Sequence, residues 1–169
     1  MAGPERKFIH KVHRQVDPEW NMHVQANTGI MGYSGTPDYY YEVMGTATWI
    51  EYKAVPGKFP QKISLHDPKK PYGLRPLQRR WVNRAHRNGV RTAVVLASEE
   101  GALIFIEGAW ENTMNVEDVR GRITDATGVA FFAAGFTNCV VVVQHIEDAG
   151  VQHEHTSSSL HHREQTEKD

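Results

Sequence analysis

The chain has 169 residues, 40% of them hydrophobic, with a net charge of −1 and a single cysteine. That length supports a full hydrophobic core, no apolar run approaches the roughly 20 residues a membrane span needs, and one cysteine excludes an intrachain disulfide. The opening Met-Ala-Gly-Pro-Glu-Arg-Lys lacks the apolar stretch of a secretory signal, so an intracellular protein is expected, with Cys139 as a small buried hydrophobe.

Charge is distributed unevenly. Residues 1–52 carry four Lys/Arg and six Asp/Glu, residues 53–91 carry eleven and one, and residues 99–169 carry four and thirteen. The basic middle block points to a polyanion bound there. Six of its cations are arginines, which grip phosphate through paired hydrogen bonds. The plain alternative is a solvated, lysine-rich loop.

Pro4 to about Val16 is expected to be a helix. Pro4 suits a first-turn position, Glu5 suits the positive end of the dipole, and Phe8, Ile9 and Val12 make an apolar stripe. Trp20–Ala26 alternates as a strand. Asn27–Gly35 is a glycine-rich loop without the lysine of a phosphate-cradling P-loop.

Tyr39–Val43 and Thr48–Ala54 are two β-rich runs around Met44-Gly45-Thr46, a hairpin signal. Asp38 opens the first strand. Glu51 and Lys53 lie two apart on the second, so both leave one face while Tyr52 points the other way. The hairpin brings Asp38 within reach of Glu51. Two carboxylates that close require a cation, and a few hard oxygen ligands suit Mg²⁺ or Mn²⁺. With a lysine beside them, they form the equipment of metal-assisted phosphodiester hydrolysis. The bland reading is a surface Glu–Lys pair and a turn-capping aspartate. Tyr39, Tyr40 and Tyr41 can stack on bases, but core packing is the expected job.

Gly35-Thr36-Pro37-Asp38 followed by Trp49-Ile50-Glu51-Tyr52-Lys53-Ala54 resembles the PD-(D/E)XK nuclease signature. The Gly-x-Pro-Asp and Glu-x-Lys-Ala contexts are similar to its virus-type replication-repair (VRR-NUC) branch, and the likeness spans residues 4–97. It implies an α/β, restriction-endonuclease-like αβββαβ core, a mixed sheet flanked by helices. The nuclease domain would cover residues 1–147, with 98–147 as a C-terminal elaboration. It also implies that the main-chain carbonyl of Tyr52 joins Asp38 and Glu51 on the metal, and that Lys53 orients the attacking water. An acidic residue on the family's first helix supplies a further metal ligand or positions a water. Glu5 matches, with helix capping as its plain alternative and Glu19 as the fallback.

Val55–Leu74 holds four prolines and several lysines. It is expected to be a basic, substrate-facing flap. His66 and Asp67 within it read as a loop accident rather than a metal pair. Arg75–Asn88 is a second helix closed by Gly89, with Leu77, Trp81, Val82 and Ala85 as its buried stripe. The family carries a glutamine near the start of this helix, and Gln78 matches. Lys58, Lys62, Lys69, Lys70, Arg75, Arg79, Arg80, Arg84 and Arg87 are the expected DNA contacts, giving affinity that falls steeply with salt.

Val90–Ala97 and Ala102–Glu107 read as strands, Val116–Ala126 as a helix and Cys139–Ile146 as a strand. Gly128–Phe136 fits either state. Residues 148–169 read as a polar, disordered tail, whose histidines (His153, His155, His161, His162) lack the cysteine neighbours of a zinc site.

The expectation is a Mg²⁺- or Mn²⁺-dependent endodeoxyribonuclease, selective for structure rather than sequence. Small stand-alone members of the branch are virus-encoded nucleases that dimerise and cut branched DNA such as four-way junctions. The resemblance therefore implies a phage-like homodimer acting as a Holliday junction resolvase. Flap cleavage, replication-fork processing, a restriction-like defence role and a catalytically inactive DNA-binding module remain alternatives, and RNA is not distinguished from DNA.

Overall fold

The computed structural model describes residues 3–20, 22–26, 35–43, 45–136, 140 and 142–144. Helix α1 (Pro4–His13) starts at Pro4 and buries Phe8, Ile9 and Val12. It stops three residues earlier than the apolar pattern suggests. Asp17 precedes Pro18, which disfavours helix, and the chain turns instead through a 3-10 segment, Pro18–Trp20. The first strand, β1 (His23–Ala26), accordingly begins after Trp20.

Strands β2 (Tyr39–Val43) and β3 (Thr46–Ala54) form the expected antiparallel pair, with Tyr39 opposite Ile50. Two further strands, β5 (Thr92–Ser98) and β6 (Gly101–Phe105), complete a sheet of order β1-β2-β3-β5-β6. Of these described strands, β3 and β5 are the parallel pair, joined by a crossover through helix α2 (Pro76–Arg87), and Val143 makes a parallel bridge to Phe105. The protein is thus α/β, with a mixed sheet and helices on both faces.

Alternation along the strands divides the core. Ile50, Tyr52, Ala93, Val95 and Ala97 face α1 and a late helix, α4 (Ala126–Ala133). Val94, Leu96, Leu103 and Phe105 face α2 and a smaller layer beneath it. β6 and α4 belong to residues beyond 97, so that part of the chain completes both the sheet and its helical cover.

The structure corrects three expectations and settles a fourth. Val55–Leu74 is not a flap. It contains β4 (Lys62–Ser64), which pairs with β7 (Thr113–Asn115). Val55, Phe59, Ile63, Leu65, Tyr72 and Leu74 are buried beside Trp110. Its lysines are exposed, but its apolar residues recur often enough to fold it down. Leu77 is not part of the buried stripe; it is 44% exposed, while Val82 and Ala85 carry the burial.

Val116–Ala126 is not one helix. α3 covers only Val116–Val119, a 3-10 turn follows, and Thr124 bridges Ala102. Adding a strand-like contact to the sheet edge overrides helical propensity there. Gly128–Phe136 resolves as α4, capped by Asp125 accepting from the Gly128 N–H at 2.9 Å. The loop at 27–34, Met44, Cys139, half of the 139–146 run and the tail at 148–169 lie outside the described residues.

Candidate active site

The site lies where β2 begins and β3 ends, beside the starts of both α1 and α2. Gly35 makes this convergence possible. Its φ is +94°, and a Cβ there would lie 2.5 Å from the Leu77 carbonyl carbon. Only glycine lets the chain entering β2 pass so close to the α2 backbone.

Asp38 stands one step before the Tyr39–Ile50 pair and therefore opposite Glu51. Its Oδ2 accepts the Tyr52 N–H at 2.9 Å. A residue's N–H and C=O leave a strand on the same side, so the Tyr52 carbonyl is directed toward the edge that Asp38 occupies. On the opposite face of β3, the Tyr52 hydroxyl is buried and bonded to Tyr41 at 2.8 Å, and Tyr41 to His13 of α1 at 3.0 Å. This chain pins the strand segment that carries the site.

Glu51 is fully buried. Its Oε1 receives the Lys53 Nζ at 2.5 Å and also the Gln78 Nε2. Gln78 is positioned in turn by accepting the Arg75 N–H at 3.0 Å, a cap on the first turn of α2. Among the described residues, Glu51 Oε2 has no hydrogen-bond partner. A buried carboxylate oxygen left open is costly.

Electrostatics agree with the geometry. Burial and then the nearby Asp38 push the Glu51 carboxyl up to about 8, against the pull of Lys53. Burial also raises Asp38, partly offset by the Tyr52 N–H, Lys53 and Arg75. Glu5 is raised by burial and then by Asp38, with Lys53 and Arg75 opposing. The three acids therefore share one local field, and the available cations do not balance it. Among the described residues no three His, Cys, Asp or Glu side chains form a ready-made cage. Two carboxylates, one with an open oxygen, and a main-chain carbonyl are a hard-oxygen set of the kind that suits a cation keeping several waters.

The structure thus brings Glu5, Asp38, Glu51, Lys53 and Gln78 together. Glu19 is exposed in the 3-10 turn and takes no part in that field. Asp67 accepts the Lys69 N–H at 3.0 Å, a turn contact.

The nine expected DNA contacts are not one cluster. Only Arg75 contributes to the field at Asp38 and Glu5. Lys58, Lys62, Lys69 and Lys70 are exposed along the folded 55–74 segment, and Arg80, Arg84 and Arg87 on α2. Arg79 is held by both oxygens of Glu111. Sequence reasoning missed that partner, since Glu111 lies 32 residues away in a stretch with no recognisable motif.

No protein-family profile matches the chain, and no curated protein matches it. Among solved structures it is similar to one described as a VRR_NUC domain, with 20% identity, 57% of this chain and 87% of that chain covered and a TM-score of 0.40. It is also similar to Hjc, a Holliday junction resolvase from the archaeal hyperthermophile Archaeoglobus fulgidus, with 16% identity, 76% and 96% covered and a TM-score of 0.49.

Proposed function

We propose that the protein is a metal-dependent endonuclease that hydrolyses DNA phosphodiester bonds, with Asp38, Glu51 and the Tyr52 carbonyl holding Mg²⁺ or Mn²⁺. The observation that carries this reading is Glu51: fully buried, opposite a second carboxylate, with one oxygen tied by Lys53 and Gln78 and the other open. A bound divalent cation would supply charge neutralisation for the phosphate and a more acidic water.

The remaining roles belong to the chain. Lys53, held on Glu51, orients the attacking water and stabilises the charge that develops on the phosphate. Gln78 fixes the Glu51 rotamer and offers its amide beside that water. Glu5, in the field of Asp38, supplies a further metal ligand or positions a water. Arg75 takes the neighbouring phosphate. No element in the described residues presents a base-reading helix, so branched DNA is the favoured substrate. A homodimer would place two such sites about a twofold axis, as a four-way junction requires.

The test compares wild type with Lys53→Ala on a synthetic four-way junction, with flap and plasmid DNA alongside and with Mg²⁺ or a chelator. Cutting by wild type that is abolished by the chelator and by Lys53→Ala, with DNA binding retained, is the expected result. Equal cutting by both proteins removes Lys53 from the mechanism.

A further inference from the structure

Asp38, Glu51 and Gln78 each have an aromatic neighbour one side-chain repeat away. Tyr40 is two residues after Asp38 on β2. Trp49 is two residues before Glu51 on β3. Trp81 is three residues after Gln78 on α2. The spacings of two on a strand and three on a helix keep a side chain on the same face, so the three rings come from three elements onto the side of the sheet that carries the carboxylates. They touch one another: Tyr40 and Trp49 have centroids 4.9 Å apart, and Trp49 and Trp81 5.3 Å. Two strand residues span about 6.6 Å, so the aromatic strip begins one such step from the carboxylates.

We propose that Tyr40, Trp49 and Trp81 form a stacking platform for an unpaired nucleobase adjacent to the phosphodiester addressed by Asp38 and Glu51. The inference rests on the nuclease reading and narrows its substrate to a strand with an unstacked base beside the cleaved bond.

Packing alone does not account for the strip. Trp81 packs one side against the core beneath α2, but the strip is not sealed as Tyr41, Tyr52 and Trp110 are, at no more than 1% exposed. Tyr40, Trp49 and Trp81 all remain partly exposed. Leu77, one turn before Trp81, continues the apolar surface outward at 44% exposure. The Tyr40 hydroxyl is bonded to Glu42 Oε2 at 2.7 Å, which steadies the ring. Arg80 and Arg84 are exposed on the same helix as Trp81. An apolar, aromatic surface flanked by guanidinium groups matches a base with its phosphates, and such stacking tolerates any base because every base has a π-face. An extended base there also explains how a site lacking a base-reading helix prefers DNA whose pairing is interrupted.

The experiment measures binding of the full chain, in chelator, to a fluorescent single-stranded oligonucleotide in which one base at a time is removed to leave an abasic site. The series is repeated with Tyr40→Leu and Trp81→Leu, whose folding is checked by thermal melting, and with Trp81→Phe as the conservative control. In wild type, one abasic position weakens binding about fivefold or more, as loss of one stacked base predicts. In both leucine variants that penalty shrinks below about twofold, because stacking is already absent and the two changes are not additive, and Trp81→Phe restores it.

An unchanged abasic penalty in the variants, or no sensitive position in wild type, overturns the platform. So does a change in sedimentation of the variants without a change in affinity, which would assign the strip to contact with a second copy. An abasic-sensitive protein that cuts no substrate instead sinks the nuclease reading and leaves the platform standing.

Discussion

Two carboxylates flank α2 and are gripped by consecutive residues of that helix, yet their surroundings are opposite. Glu111 receives the Arg79 guanidinium on both oxygens and the Asn83 amide on one, and Asn83 in turn accepts the Trp110 indole N–H at 2.6 Å. Its carboxyl is held below the usual range, first by the Arg79 hydrogen bonds. Glu51 receives Lys53 and Gln78 on a single oxygen, keeps the other open, and is pushed up to about 8. The first network is complete within the chain and joins α2 to the turn at Ala109–Glu111. The second leaves one carboxylate oxygen without a partner among the described residues. A satisfied buried network specifies structure, whereas one short of a partner is the pattern expected of a site.

The largest effect should come from Lys53→Ala, which is expected to lower cleavage by about a hundredfold or more in a gel assay on junction DNA while leaving affinity intact. If cleavage persists, Glu51 is merely another structural carboxylate and the contrast fails.

The next test sharpens the electrostatic difference. The folded Glu51 carboxyl titrates near 8 against an ordinary 4.5, so between these values the folded protein holds a proton that the unfolded chain releases. Stability in chelator should therefore fall as pH rises from 4.5 to 8. Mg²⁺ should reverse the fall, by about 2.7 kcal/mol at a hundredfold excess over its Kd. Glu51→Gln should flatten the slope, leaving the smaller contributions of Asp38 and Glu5, and weaken the response to Mg²⁺. Thermal melting across pH, with and without the ion, reads all three.

Asn83→Ala should act on the other network alone. It strands the indole N–H of fully buried Trp110, at a cost of about 1–3 kcal/mol in denaturant unfolding, with junction cutting unchanged. Glu111→Gln gives the smallest effect. Glu111 has a lowered carboxyl, so its contribution is present above pH 4.5 and is lost as pH falls below it. The wild-type protein should lose stability there, and the Gln variant should lose less.

The contrast also explains what was readable. Glu51 and Lys53 share a face because they are two apart on one strand, and Asp38 meets them across a hairpin of a few residues. These are local relations, and periodicity exposes them. Glu111 and Arg79 have no such relation. The 55–74 stretch was misread for a related reason. Its prolines and lysines describe the outer surface, while its burial depends on β7 and Trp110, which lie some fifty residues on.

The sequence by itself determined the hairpin that gathers Asp38, Glu51 and Lys53, the alternation of elements and the concentration of positive charge between residues 53 and 91, because each follows from spacing along a strand, a helix or the chain. Tertiary structure alone decided that Gln78 would grip Glu51, that the 55–74 segment would fold into a second layer, that Arg79 would be occupied by Glu111, and that Tyr40, Trp49 and Trp81 would meet. Those contacts join residues nine to fifty positions apart, and only the packing of the helices and the second layer onto the sheet sets which side chains come within reach.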